Sequence, residues 1–280
     1  MSRINTLSIE QARNFLVGHH GLRQPFAGTV SELLAQHRCI QLDPLDRIGN
    51  NADLVVAARL DGAKMGDVYK ELLPGKSFEH YFKEMCLLPP STFPHYRREL
   101  QRTGWWSYSG LCERPSDEAL AGVADEIRER GPMLPRELTE RGMAVSRKDH
   151  PWARKTTMNT IAVDVLKSAC RLVAVERTAK GKRYDLPERV LPPEAHAAPD
   201  GSWGEFIIRE RVEAAGLLPL NAGPWWRLAK AVRTGKKLHA GAELVQVEGL
   251  KRKHLTPKGF LDRRYPADDG RMRIIGPLVR

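Results

Sequence analysis

The sequence predicts an α+β chain, mostly helical and built of tandem winged helix-turn-helix units. Three observations carry this. Capping boxes open two short helices. Short alternating segments bounded by glycine and charged turns follow the helices as hairpins. The order helix, short helix, long helix, hairpin occurs once clearly and recurs more weakly. At 280 residues the length accommodates up to three such units.

Ser8-Ile-Glu-Gln11 has capping-box spacing and opens a helix through about Gly18. Thr29-Val-Ser-Glu32 repeats the signal and opens a second through about His37. Cys39 to Asp43 then alternates apolar and polar residues, which reads as a short strand ended by Pro44. Helices are expected over Leu54–Leu60, Met65–Leu72 and Pro94–Arg102, with an apolar, aromatic segment at Phe78–Leu88 between them. Ser116–Arg130 carries Leu120, Val123, Ala124 and Ile127 on one stripe and stops at Gly131-Pro132. A short helix over Pro135–Arg141 and a long one over Trp152–Cys170 follow. A hairpin comes next, Leu172–Arg177 and Arg183–Leu186 around a turn at Ala179–Lys182. In this arrangement the third helix is expected in a DNA groove and the wing along the backbone. Pro187–Ser202, with four prolines, reads as a linker. Helices at Trp203–Ala215 and Pro224–Val232 and strands at Glu243–Glu248 and His254–Thr256 form the weaker repeat. The expected domains are 1–115, 116–200 and 201–280.

Charge is uneven. The net charge is +11, and the pI is near 9.7. Arg147–Arg183 holds ten Lys/Arg against three Asp/Glu, and Arg227–Arg264 eleven against three; the remainder is net negative. Two basic segments on a slightly acidic body fit a polyanion surface, and equally two solvated faces. If the surface is real, its phosphate contacts are expected at Arg154, Lys155, Arg177, Lys180, Lys182, Arg183, Lys251, Arg252 and Lys253.

Several function classes drop out. No apolar run approaches the roughly 20 residues of a membrane span. Met1–Gln11 has no signal-type apolar core. Cys39, Cys86, Cys112 and Cys170 are scattered, without a C-x-x-C pair, which argues against a zinc ribbon or a secreted disulfide scaffold. A cytoplasmic monomer with reduced thiols is expected, Cys39 facing the core beside Ile40. The nine histidines include His19-His20 but no H-E-x-x-H, and neither G-x-S-x-G nor a P-loop occurs. No metal and no cofactor are expected. Trp105-Trp106 and Trp225-Trp226 are either base-stacking platforms or core residues.

Gln41 and Asp43 are the candidate catalytic pair. On an extended segment, positions 41 and 43 project to one side, with Ile40 and Leu42 behind. A carboxylate can take a proton from water and stabilise an oxocarbenium-like cation, and an amide can orient that water. Polar residues on the open face of a half-buried strand would look the same.

A chain of motifs adds to this. Cys39-Ile-Gln-Leu-Asp-Pro-Leu45 is followed by Ile48-Gly-Asn-Asn-Ala-Asp-Leu54 running to Arg59-Leu60. Then come Phe78-Glu79 through Leu87-Leu88-Pro89, Arg130-Gly-Pro132 with Glu137-Leu138, and Arg183-Tyr-Asp-Leu-Pro-Glu-Arg189. In this order they resemble the AlkZ/YcaQ (AlkX)-type DNA glycosylases, a bacterial family of tandem winged-helix proteins, over most of residues 8–260. The resemblance implies hydrolysis of the N-glycosidic bond of alkylated purines in double-stranded DNA, N7-alkylguanine and interstrand crosslinks included, without metal or cofactor. The family's Q-x-D motif falls on Gln41 and Asp43. Ala52 and Lys83 stand where members often carry His. The resemblance also implies that most of the C-terminal β-rich domain of longer members is absent. The competing class is a non-catalytic winged-helix DNA-binding protein such as a transcriptional regulator, which needs no polar pair at 41 and 43.

Overall fold

The computed structural model describes residues 5–43, 49–82, 84–104, 106–147, 155–220 and 242–260. The helix expected at Pro224–Val232 lies outside them. The chain divides into two compact units. Unit 1 comprises 1–68, 81–86 and 200–280; unit 2 comprises 69–80 and 87–199. Segments from the first and third expected domains therefore share one unit.

Unit 1 begins with β1 (Asn5–Leu7) and α1 (Ile9–His19). Ser8 Oγ accepts from the Gln11 amide at 3.1 Å, and Gln11 Oε1 accepts from the Ser8 amide at 2.8 Å. The capping box is thus complete, as it is at Thr29 and Glu32 before α2 (Val30–His37). β2 (Ile40–Gln41) and α3 (Asn51–Ala57) follow, and α4 (Asp67–Leu72) starts in unit 1 and belongs mostly to unit 2. The apolar segment at 78–88 is two strands, β3 (Phe78–Tyr81), of which Tyr81 belongs to unit 1, and β4 (Met85–Leu88), of which Met85 and Cys86 do; the three-strand order is β2-β4-β3. Among the described strands β2 is therefore at the sheet edge.

Later in unit 1 come α9 (Trp203–Ala215), β7 (Leu218–Pro219), β8 (Ala242–Val247) and β9 (Lys253–Pro257). β8 and β9 pair antiparallel, and β1 adds to β8 in parallel, Asn5 beside Val245 and Leu7 beside Val247. Phe15, Leu7, Val245, Val247 and Phe260 pack on this sheet. Ile208 and Val212 of α9 pack with Ala242 and Leu255.

α9 ties distant parts of unit 1 together through three polar contacts made within about one of its turns. Arg38 Nε donates to Glu210 Oε2 at 2.7 Å. Arg211 Nη2 donates to the Phe82 carbonyl at 2.9 Å, and its guanidinium lies over the Phe82 ring. His19 Nε2 donates to the Glu213 carbonyl at 2.8 Å.

Unit 2 contains α5 (Phe93–Thr103), α6 (Asp117–Arg130), a 3-10 turn at Pro135–Glu137, α7 (Met158–Ser168), β5 (Val173–Thr178) and β6 (Gly181–Asp185). The expected short helix is only that turn. β5 and β6 form the expected hairpin. Met133 adds a bridge to Tyr184, exchanging hydrogen bonds of 3.1 and 2.9 Å. The order from α6 to β6 is helix, 3-10 turn, an 11-residue helix and hairpin.

Two expectations fail here. Pro187–His196 is not a linker, and only 197–202, where the chain changes units, is irregular. Pro187 starts α8 (Pro187–Val190) and Pro193 starts a 3-10 turn, each at the position where a missing amide costs nothing. Leu191 and Ala195 are buried, and Glu188 pairs with Arg97 at 2.6 Å. α7 is not open for a DNA groove either. Eight of its eleven residues are buried, including Ile161, Val163, Val165 and Leu166. The α6 stripe packs in the same core, together with Trp106 and Cys112. The Ser107 amide donates to Asp164 Oδ2 at 3.1 Å, and His80 Nε2 donates to the Ser168 carbonyl at 3.1 Å.

A cluster of imidazoles stabilises the α1–α2 corner only while neutral. His20 stacks on His37, with ring centroids 6.2 Å apart, and His19 meets His20 edge to face. Burial, then the Arg59 charge, then His20 and His19 lower the His37 pKa from 6.5 to about 3. The folded state thus refuses a proton that the unfolded chain takes up below about pH 6.5. Stability must fall as pH drops through that range. We predict that His37→Gln flattens the urea-unfolding free energy between pH 6.5 and 5, by up to about 1.4 kcal/mol per pH unit. An identical pH dependence in parent and variant would refute this.

Candidate active site

The Q-x-D segment begins at a strained turn. Arg38 closes α2 with φ 65°, a left-handed conformation that costs a non-glycine residue about 1–2 kcal/mol. Its amide donates to the Leu34 carbonyl at 2.8 Å, and its guanidinium is held by Glu210, whose side chain is 4% exposed. Burial pushes the Glu210 carboxyl up, and Arg38 opposes that shift. The chain leaves this turn directly into β2.

Within β2, Ile40 is buried and Gln41 exposed, as alternation predicts. The Leu42 amide donates to the Met85 carbonyl of β4 at 2.8 Å. Asn51 Nδ2 donates to the Gln41 carbonyl at 2.9 Å. Leu42 and Asp43 are half-buried. The structure thus places Gln41 on a held edge strand, with Asp43 two residues further along the same segment.

Cys39 corrects an expectation: it is half-buried rather than in the core. The Cys86 thiol hydrogen-bonds to it and holds its pKa below the ordinary thiol range. Ala52 is completely buried in α3, so this position offers no polar group to a ligand. Lys83 lies outside the described residues. Trp106 is a core residue; Trp105, Trp225 and Trp226 lie outside the described residues. Among the described residues, no group of three or more His, Cys, Asp or Glu side chains could hold a metal ion. Nor is any described helix long and apolar enough to cross a membrane.

The basic candidates separate into two sets. Lys155 is exposed just before α7, Lys180 is exposed at the β5–β6 tip, and Lys251, Arg252 and Lys253 are exposed at the β8–β9 turn. The other set is engaged within the protein. Lys182 Nζ lies 2.5 Å from Glu79 Oε2, whose side chain is 1% exposed. Arg183 donates to Glu137 Oε1 at 2.8 Å and to the Pro132 carbonyl at 2.9 Å. Arg177 lies over the Tyr69 ring and donates to its hydroxyl. Lys182, expected at the wing tip as a phosphate contact, is paired with a buried carboxylate. Sequence spacing gave no signal for this, because Glu79 is 103 residues away. Arg154 lies outside the described residues.

Comparison with known proteins fits this geometry. The family model described as DNA glycosylase AlkZ-like matches residues 34–278. The chain belongs to the AlkZ-like DNA glycosylase family. A solved structure, the Streptomyces sahachiroi DNA glycosylase AlkZ, has the same fold, with a TM-score of 0.60 at 18% identity. The match covers 92% of this chain and 71% of that one. A comparison with curated proteins finds no match. The matched region of the AlkZ-like family contains β2, the edge strand that carries the Q-x-D segment. Membership makes DNA the substrate and the base–sugar bond the point of attack.

The division of the wing is testable. Lys182→Ala strands a buried carboxylate and should lower stability by about 3 kcal/mol in urea unfolding. Lys180→Ala should stay within about 0.5 kcal/mol of the parent. Equal stabilities for the two variants would contradict this assignment.

Proposed function

We propose that this protein is a monofunctional glycosylase. It hydrolyses the N-glycosidic bond of alkylated purines in duplex DNA, N7-alkylguanine and interstrand crosslinks included. The observation that carries the reading is the exposed Gln41 on an anchored edge strand, followed by Asp43, within an AlkZ-like chain. A non-catalytic regulator would need no such pair, and α7, the helix expected to read a groove, is mostly buried.

The chemistry suits the lesion. Alkylation at N7 places positive charge on the base, so the C1′–N9 bond breaks with its electron pair leaving on a neutral base. The sugar becomes an oxocarbenium-like cation. The Asp43 carboxylate stabilises that cation and takes a proton from the attacking water as the water oxygen bonds to C1′. Gln41 orients the water or a sugar oxygen. The products are the free base and an abasic sugar. Every step is supplied by water and side chains, so the scheme calls for no metal ion.

DNA is held by charge. Lys155, Lys180, Lys251, Arg252 and Lys253 are the proposed phosphate contacts, because their ammonium and guanidinium groups lie on exposed residues. Arg177 and Arg183 serve the wing first, through Tyr69 and Glu137.

The test uses duplex oligonucleotides containing one N7-methylguanine, with alkaline cleavage reporting abasic sites. Asp43→Ala should slow single-turnover base release by about 10²–10⁴-fold. Its DNA affinity should stay within a few-fold, and Gln41→Ala should show a smaller loss. Release by Asp43→Ala at the parental rate would remove it from the mechanism. Excess EDTA should leave the parental rate unchanged, and a loss restored by a divalent ion would contradict the hydrolytic scheme.

A further inference from the structure

Gln41 needs a fixed backbone if its amide is to orient water, and an edge strand does not supply one unaided. Consecutive residues of a strand point their amide and carbonyl groups to opposite sides. The Leu42 amide faces β4, where it donates to the Met85 carbonyl at 2.8 Å. The neighbouring Gln41 carbonyl therefore lies on the open edge, where no described strand pairs with it. Asn51 Nδ2 occupies that place at 2.9 Å.

The sequence around Asn51 fixes that amide. Gly49 takes φ 134°, a conformation that favours glycine, and is buried. Asn50 then caps α3, its Oδ1 accepting from the Ala52 amide at 3.0 Å. Ala52, Asp53, Val56 and Ala57 are buried along one side of the helix, and Asp53 Oδ2 accepts from the Gly66 amide at 2.9 Å. Helix α3 cannot turn about its axis without exposing them. Asn51, the first residue of the helix, is thereby aimed at the strand edge.

We propose that Asn51 is a positioning residue for base release. It holds the Gln41 backbone from the open side of β2 while β4 holds Leu42 from the other. The proposal rests on Gln41 acting in the reaction. Small misplacements of a catalytic group are costly: a shift of about 1 Å can lower the rate by about 10²-fold.

The experiment is a double-mutant cycle read by single-turnover base release, DNA affinity and thermal unfolding on the full chain. Asn51→Ala should slow release by roughly 10-fold, a modest displacement on that scale. Its DNA affinity should stay within about two-fold and its melting temperature close to the parent's. Asn51→Asp keeps the shape but loses the donor, and should be at least as slow. In a Gln41→Ala background, adding Asn51→Ala should change the rate by less than about two-fold, because residues that act as a unit are non-additive. A parental rate for Asn51→Ala, or full additivity with Gln41→Ala, overturns the positioning role while leaving the glycosylase reading intact. A rate loss matched by equal losses of affinity and melting temperature overturns it too, because that is a general structural defect. A parent that releases no base overturns both.

Discussion

The Arg38–Glu210 ion pair is the contact on which the arrangement of unit 1 turns. Arg38 sits in a left-handed backbone conformation that a side chain adopts only under compensation. Glu210 is a carboxylate with almost no solvent. Each would be costly alone. Together they fix the angle at which the chain leaves α2 and enters β2, and they bind that corner to a helix 172 residues away. Removing one partner of such a pair leaves an uncompensated charge or an unsupported turn. The same helix holds the Phe82 carbonyl through Arg211 and α1 through His19. One helix thus sets the start of the Q-x-D strand and the turn of the hairpin whose strand pairs with it.

From that anchor, the site follows by short steps. Among the described strands β2 is at the sheet edge, so one side of it is free of strand pairing and Gln41 is exposed. An edge is a place of weak order unless its polar groups are answered. Met85 and Asn51 answer them. Unit 2 shows a different use of polar residues. Lys182, Arg183 and Arg177 brace the hairpin against Glu79, Glu137 and Tyr69, so part of the basic sequence is internal structure rather than binding surface.

What the sequence made legible is what local chemistry decides. Both N-terminal capping boxes form because donor and acceptor lie three residues apart, and the α6 stripe is buried as its spacing requires. The β5–β6 hairpin and the alternation at Ile40-Gln41 follow for the same reason. The misreadings depend on contacts distant in sequence. Nothing near Asn5 announces a parallel pairing with Val245. Lys182 resembles an ordinary surface cation until Glu79 is brought beside it. Prolines at 187 and 193 read as breaks, yet they start turns because Leu191 and Ala195 are drawn into a core. Spacing alone left Gln41 and Asp43 indistinguishable from polar residues on an open strand face, and it is the family motif that singles them out. The hold on Gln41 from Asn51 was not legible, since a side chain that pairs with an edge carbonyl leaves no periodic trace.

The central claim is that the anchored edge strand presents Gln41 and Asp43 to the sugar of the damaged nucleotide. The most direct measurement is a crystal structure of the protein bound to duplex DNA carrying a stable abasic-site analogue. The account predicts the C1′ position of the analogue beside Gln41 and Asp43, with a carboxylate oxygen roughly 3 Å from an ordered water facing it. An abasic sugar bound at another surface, with Gln41 and Asp43 in contact with solvent alone, would contradict it.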